Sequence, residues 1–475
     1  MKNILAKYKE MPNSVKASLW FTVCSILQKG ISFITVPLFT RLLTPEEYGV
    51  FSLFLSWQSL IAIFATLNLS YQVFNNGMVK FENDKAGYTT AMLGLSNLAT
   101  VILFFVYLIF HNLINRLTGL ETIHFILMFI GYFFTSATSL WTVEQRYLFR
   151  YKALCFVTIF ISLGVAILGV VLVSNYHYGI SRILADVIVT CSVGFVIYIV
   201  LLKENSHLIN LKYWKYALSL DLPLIIHYLS MNVFNSADRI MISSICGLKY
   251  VALYSVPFNA SMVMQIIITS INASFTPWTY QKCKESKWSD INHTSLYLIL
   301  FIFGITLLPS LFAPELVWVL GSSKYAAAAW VVPPVSCSVF FSFLYSLFTN
   351  IEFYFENTKN ITKATLFASV LNVVLNFIFI NKFGYIAAAY TTLICYMFLS
   401  LIHYVYMKRI LKENNIKEKV YNTKIVVCIS FFIVLYSVLV SFTYKFNYFL
   451  RYGLILIIIG VIFVNKKRIM ETLKH

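Results

Sequence analysis

Charge is what this chain lacks most. Only 12% of its 475 residues are charged, and acids are the scarcer sign, with 19 Asp and Glu against 37 Lys and Arg. An ordinary soluble domain carries charge on about a quarter of its residues, so that class is excluded. Cysteine pairs are also missing. None of the eight Cys forms a CxxC spacing, so they read as small apolar packing residues, not a metal or redox site. No GxxxxGK[ST] sequence is present to cradle a nucleotide phosphate. The loops, mostly about 5–15 residues, leave no room for a soluble catalytic or ATP-binding domain. A nucleophile motif, a His/Asp/Glu cluster and an acidic DxD pair are absent too, which argues against an enzyme and leaves a transporter.

What is present is hydrophobicity: 59% apolar residues and a mean hydropathy of +0.76. A bilayer-spanning helix needs about 20 apolar residues, because no water is there to satisfy its backbone. Fourteen such stretches are expected, near 17–40, 48–75, 88–110, 122–143, 153–174, 180–202, 215–243, 250–276, 293–313, 327–351, 361–381, 384–407, 423–443 and 448–465. The first follows a short basic amphipathic start and reads as a retained span, not a cleaved signal. The expected fold is therefore an all-α polytopic membrane protein.

With the N-terminus cytoplasmic, the inner segments hold 27 of the 37 Lys and Arg, the outer loops 8, and Lys29 and Arg239 lie within spans. This is the positive-inside asymmetry, and it sets both termini in the cytoplasm. The basicity is topological, so a nucleic-acid partner is not expected. The largest basic clusters are Lys408 to Lys424 and the tail Lys466, Lys467 and Arg468.

The basic stretch from Lys203 to Lys215 divides the first twelve spans into halves, and the halves share weak self-similarity. Glu46 to Leu53 (EEYGVFSL) enters span two as Leu248 to Val256 (LKYVALYSV) enters span eight. Tyr176 to Gly179 (YHYG) has a counterpart in Asn381 to Gly384 (NKFG). An even number of spans per repeat gives parallel halves, an arrangement of transporters that bind at the repeat interface. The expected organisation is a six-helix lobe over 1–202, a second over 203–412, and a helix pair with a tail over 413–475.

Charged groups inside a span cost at least about 2.5–3.5 kcal/mol on insertion scales and usually face protein or a wet cavity. At about 100° per residue, Asp221, Tyr228, Asn232, Asn235 and Arg239 of span seven share roughly a 60° sector. Ser25, Gln28, Lys29 and Ser32 share one side of span one, and Gln58, Asn68, Gln72 and Asn75 one side of span two. Thr135, Ser139, Thr142 and Arg146 align in span four, and Ser338, Ser342, Tyr345, Thr349 and Glu352 in span ten. Such stripes either glue helices together or line a hydrated cavity. For those that carry full charges, a cavity is the expectation. Asp238–Arg239 reads as a gate ion pair or a substrate contact. Arg146, Arg150 and Lys152 stand at the inner mouth, where topology alone also explains them. His227 and His403 read as packing residues or as proton-coupling groups. Fixed positive charge at Lys29 and Arg239 suits a phosphate, while amides, hydroxyls and aromatic faces suit sugars.

Three segments resemble bacterial polysaccharide flippases of the multidrug, oligosaccharidyl-lipid and polysaccharide exporter superfamily. They are Pro37 to Phe51 (PLFTRLLTPEEYGVF), Asn235 to Asn259, which holds NSADRIMI and GLKYVALYSVPFN, and Gly384 to Tyr396 (GYIAAAYTTLICY). The resemblance implies two six-helix lobes in a V around a central cavity. It also implies translocation of an undecaprenyl-pyrophosphate-linked oligosaccharide across the bacterial inner membrane, for O-antigen, lipopolysaccharide or capsule synthesis. The lipid-linked oligosaccharide and the bilayer are the implied partners, with a polysaccharide polymerase and a chain-length regulator beside them. No cofactor is implied beyond proton or sodium coupling, and no metal site.

Related flippases use basic residues of span one inside the cavity, where Lys29 stands in a comparable place. On this reading Lys29 and Arg239 attract the pyrophosphate or acidic sugars. Gln28, Asn68, Gln72, Tyr228, Asn232 and Asn235 meet the glycan, with Asp221 in the same cavity, and Arg146 and Arg150 recruit the headgroup at the cytoplasmic mouth. Spans thirteen and fourteen would line a groove for the polyprenyl tail. The rivals are a drug/cation antiporter of the same superfamily, which needs acids deep in the cavity, a membrane glycosyltransferase or polymerase, and a non-transporting scaffold.

Overall fold

The computed structural model describes residues 11–444 and 452–453. Among them every regular element is helical, and thirteen helices are long and apolar enough to cross a bilayer. Each overlaps one of the first thirteen expected spans. The fourteenth, near 448–465, and the basic tail lie outside the described residues.

Thirty residues form α1 (Asn13–Leu42). Thr44 then caps α2 (Pro45–Ala65): its side chain accepts from the Glu47 amide, proline takes the first position, and Glu46 and Glu47 meet the positive helix end. A short helix, α3 (Gln72–Lys80), follows. Asp84 caps α4 (Lys85–Thr118), and Gly119, at φ 69°, ends it in the left-handed conformation that glycine adopts freely. Next come α5 (Thr122–Tyr147), α6 (Tyr151–Tyr176) and α7 (Gly179–Glu204). Asn210 caps the 35-residue α8 (Leu211–Ile245).

Span eight is two helices, α9 (Leu248–Met262) and α10 (Met264–Lys284), interrupted at Val263. They are followed by α11 (Trp288–Leu311), the short α12 (Ala313–Gly321), α13 (Val332–Tyr354), α14 (Thr358–Phe383), α15 (Ala387–Glu413) and α16 (Thr423–Thr443).

Packing groups these helices into two compact units. Among the described residues, unit 1 is the chain through Ser255 together with Thr365–Ala388, and unit 2 is Val256–Ala364 with the chain from Ala389 onward. The boundary therefore does not fall at the basic loop near residue 203, and α8 packs within unit 1 against α2 and α4. In unit 1, α5 lies between α4 and α7, and α1 rests on α6. In unit 2, α13 is the central helix, with α10, α11 and α16 against it.

The repeated segments meet one another inside unit 1. A Cβ on Gly49 would lie 2.0 Å from the Leu248 carbonyl oxygen, so glycine is what lets the two helix starts touch. Gly179 donates its amide to Glu47 Oε2 at 2.5 Å, joining the start of α7 to the start of α2. On the other side of the repeat, the Tyr385 ring lies 5.2 Å from Tyr250, joining the segment before α15 to the start of α9.

Candidate functional site

The expected second span does not run straight to residue 75. It stops at Ala65, and residues 66–71 form a turn in which Leu67 (φ 51°) and Asn68 (φ 45°) are both left-handed. That conformation costs a non-glycine residue roughly 1–2 kcal/mol, less for Asn, and persists only where its surroundings enforce it. The enforcement is visible. The Thr100 hydroxyl of α4 donates to the Ala65 carbonyl at 2.7 Å, in place of the helical partner that carbonyl has lost. Thr66 Oγ1 donates to the Ala62 carbonyl at 2.8 Å and accepts the Asn68 amide at 3.3 Å. Irregular backbone near a membrane needs this kind of satisfaction.

Beyond the turn, α3 is amphipathic: Val73, Phe74, Gly77 and Met78 are buried while Gln72, Asn75 and Asn76 are exposed. A Cβ on Gly77 would lie 2.0 Å from Tyr88 Cζ, so the glycine admits the tyrosine ring. The Tyr88 hydroxyl then donates to the Val73 carbonyl at 3.1 Å and pins the short helix to α4. With its buried face fixed, α3 presents Gln72 and Asn75 to a cavity of about 610 Å³. Ser70 and Tyr71 line it from the turn, and Thr138, Ser139, Thr142, Val143 and Arg146 from α5. A smaller void of about 40 Å³ adjoins it through Ser70 and Ser139. No acidic side chain lines either one.

Aromatic rings border the cavity. The Tyr71 and Tyr228 ring centroids lie 5.5 Å apart. The Arg146 guanidinium, exposed, stands 5.9 Å over the Phe21 ring of α1. The wall thus offers one cation, amides, hydroxyls and phenol faces. It can bind an anionic group beside a polyhydroxylated one.

Of the residues singled out from sequence, Gln72 and Arg146 line this cavity and Tyr228 adjoins it. Asn68 shapes the turn and is not part of the wall. Because the helix breaks at residue 66, the proposed common face of Gln58, Asn68, Gln72 and Asn75 does not exist. Arg150 is exposed just past the end of α5. Gln28 and Lys29 are exposed on α1, and no side-chain partner of Lys29 is found among the described residues.

The α8 stripe is spread over its helix, with Asp221 and Arg239 roughly 27 Å apart at about 1.5 Å per residue. Asp221 is fully buried and neither carboxylate oxygen has a hydrogen-bond partner, so it does not open onto a cavity. Asn232 and Asn235 donate to carbonyls one turn back, Tyr228 at 3.0 Å and Met231 at 2.8 Å. Arg239 donates to Ser255 at 3.2 Å and to the Asn235 carbonyl at 3.0 Å. Asp238, 1% exposed, accepts from Tyr254 and Asn376 and ties α8, α9 and α14 together.

Sequence reasoning left out Tyr71, whose only signal was an aromatic beside an amide-rich segment. It noted Asn75, Ser139 and Thr142 in stripes without choosing them.

In unit 2 the expected polar stripe of α13 is enclosed: Ser338, Ser342, Thr349 and Glu352 are all buried. The cavity on that helix is of the opposite kind. It measures about 630 Å³ and is lined by Phe341, Leu344 and Phe348 of α13, by Met397, Leu401 and Tyr404 of α15, and by Val427, Phe431 and Val434 of α16, among others.

Comparison with known proteins matches residues 14–282 to a family described as polysaccharide biosynthesis protein, and residues 223–378 to the MatE family. The Lsg locus putative protein 1 of Haemophilus influenzae is 24% identical over 387 residues, 75% of this chain and 89% of that protein. Among solved structures, the lipid II flippase MurJ in an inward closed conformation matches with a TM-score of 0.66 at 13% identity, over 90% of this chain and 98% of that one. An inward-facing multidrug resistance transporter of the MATE family matches with a TM-score of 0.64 at 14% identity, over 85% and 100% of the two chains. At these identities the structural matches speak for the fold.

Proposed function

The chain belongs to the polysaccharide biosynthesis protein family, whose pattern covers more than half of it, and from this premise we propose that it flips a lipid-linked oligosaccharide across a bacterial inner membrane. The observation that carries the reading is the polar cavity at the helix break, where Arg146 stands among Gln72, Asn75, Thr142 and two tyrosines. Sugar hydroxyls need many neutral donors and acceptors and a flat apolar face. A pyrophosphate needs a cation. The cavity supplies all three in the chemistry of its wall.

With both termini cytoplasmic, this cavity faces the cytoplasm, where a newly made lipid-linked unit is met. Arg146 and Arg150 attract its phosphate, and Gln72, Asn75, Tyr71 and Tyr228 hold the first sugars. Lys29, Gln28, Asn232, Asn235 and Arg239 meet the substrate farther along its path. The apolar cavity of unit 2 suits an isoprenoid tail, which gains about 0.8 kcal/mol per buried methylene. An undecaprenyl-pyrophosphate carrier, an O-antigen or capsule repeat unit, and a polymerase with its chain-length regulator downstream complete the proposal. The absence of acids from the cavity wall favours this cargo over an organic cation.

The test is reconstitution of the full chain with a fluorescently tagged lipid-linked oligosaccharide, scoring movement to the far leaflet. Arg146→Ala combined with Gln72→Ala should lower transport at least tenfold while leaving the protein folded. Transport unchanged in that double variant would remove the cavity from the mechanism.

A further inference from the structure

Unit 2 holds a buried acid–base pair that the substrate path does not use. Glu352, near the end of α13, and His403, on α15, are each 0% exposed, and His403 Nδ1 stands 2.7 Å from Glu352 Oε1. The second carboxylate oxygen and the second ring nitrogen have no hydrogen-bond partner. The Tyr345 ring lies 5.1 Å from the imidazole and the Tyr406 ring 6.3 Å from it, edge on.

Among the described residues, the contacts that α10, α11 and α16 make with α13 are neutral. Helix α10 meets α13 through neutral contacts: Gln265 with Ser342 at 3.4 Å, Asn272 with Ser346 at 3.0 Å, and Thr276 with Asn350 at 3.1 Å. Of the phenols around these helices, Tyr421 donates to the Leu347 carbonyl and Tyr404 is bonded to Thr423, while Tyr345 and Tyr406 are the titratable side chains that face the pair itself. Cys283 of α10 is buried, and Lys282 is held by Asp290 at 2.7 Å. From α11 and α16 the contacts are apolar, such as Phe303 against Phe340.

A carboxyl and an imidazole in contact are neutral as a pair when they hold one proton, whichever of them carries it. A second proton leaves a net positive charge, and loss of the first leaves a net negative one. Either is strongly unfavourable where no water reaches. One proton is thus the count that leaves the enclosed pair uncharged, and exchange of that proton requires that Oε2 or Nε2 meet water. Buried polar atoms are almost always satisfied, yet on both partners the outer atom is left open.

We propose that Glu352 and His403 form a proton-binding site, which takes a proton from water or returns one to it when the seam between α13 and α15 opens. The proton adds to the carboxylate or to the imidazole and leaves by the reverse step; no other bond changes. Protonation and the conformation of unit 2 are then linked, with a bias of up to about tenfold per pH unit for one proton. Only the further step, that this linkage drives transport, rests on the flippase reading.

The experiment is pH-difference infrared spectroscopy of the full chain in phosphatidylethanolamine–phosphatidylglycerol vesicles, which needs no substrate. The wild type should show a protonated-carboxyl C=O band that titrates. That band should be lost in Glu352→Gln, and its midpoint displaced in His403→Gln. Identical titrations in the wild type and Glu352→Gln would overturn the site. Should Glu352→Gln fail to fold, an unmoved midpoint in His403→Gln overturns it instead. A second arm measures lipid-linked oligosaccharide transport with and without a pH gradient, and the gradient dependence should disappear in either variant. Absence of transport in the wild type sinks the flippase reading and leaves the infrared result standing. A silent infrared titration with transport intact sinks the proton site alone.

Discussion

A polar cavity in unit 1 and an apolar one in unit 2 are nearly equal in size, about 610 Å³ and about 630 Å³. Their walls are opposite in chemistry, and the reason lies in the backbone. In unit 1 a helix stops, the chain turns through two left-handed residues, and a short helix restarts with its amides outward. In unit 2 the wall is three uninterrupted helices. There α13 sorts its side chains by face: Ser342, Ser346 and Asn350 bond to α10, while Phe341, Leu344 and Phe348 face the cavity. Broken backbone makes a wet site; continuous helices make a greasy one.

This contrast can be broken most severely at its foundation. Gly77→Val should remove the polar cavity altogether, because the new side chain would occupy the place of the Tyr88 ring. Overpacking of this kind costs about 1–3 kcal/mol or more, and the expected result is loss of the monodisperse peak on size-exclusion chromatography in detergent. Next in size is a swap of chemistry in unit 2. Met397→Asp places a charge in the apolar cavity, and transport of a long-chain substrate should fall more than about tenfold, given about 0.8 kcal/mol for each methylene no longer accommodated. A short-chain analogue should be less affected, and equal losses for both would deny the cavity a role with the tail.

The matching change in unit 1 is Thr142→Asp, which sets an anion in the wall that carries Arg146. An anionic headgroup should then bind about five- to tenfold more weakly, the scale of one charge-assisted contact of roughly 1–1.5 kcal/mol. The defect should shrink as salt is raised. Asn75→Ala removes neutral hydrogen bonds only. Its expected effect is about 1 kcal/mol, or roughly fivefold in affinity, with little response to salt. The smallest change tests the turn itself. Asn68→Gly keeps a left-handed residue and should leave thermal stability and transport near wild type, whereas Asn68→Val should cost roughly 1–2 kcal/mol in stability. If glycine and valine behave alike in thermal melts, the turn is not the feature that holds the cavity open.

Much of this was legible in the residues. The spans follow from hydropathy, and the two segments paired from sequence, EEYGVFSL and LKYVALYSV, touch at Gly49 and Leu248. The stripe of Ser139, Thr142 and Arg146 was visible as periodicity and proves to be one wall of the polar cavity. The break at residues 66–71 was not legible. Its sequence, TLNLSY, holds neither glycine nor proline, and the group that stabilises it, Thr100, comes from another helix. For the same reason Tyr71 was missed and Asn68 was taken for a wall residue. Glu352 and His403 were each noticed separately, 51 positions apart, and only packing makes them a pair.

Sequence by itself determined that the chain crosses the membrane many times, with many of its polar residues on chosen helical faces. Those properties depend on local composition and on the helical period, which each segment carries alone. Tertiary structure decided which polar residues face a cavity, which are buried as anchors, and where a helix gives way. Those outcomes depend on partners distant in sequence: a hydroxyl that takes an orphaned carbonyl, a ring that fills the space a glycine leaves, and an imidazole that meets a buried acid.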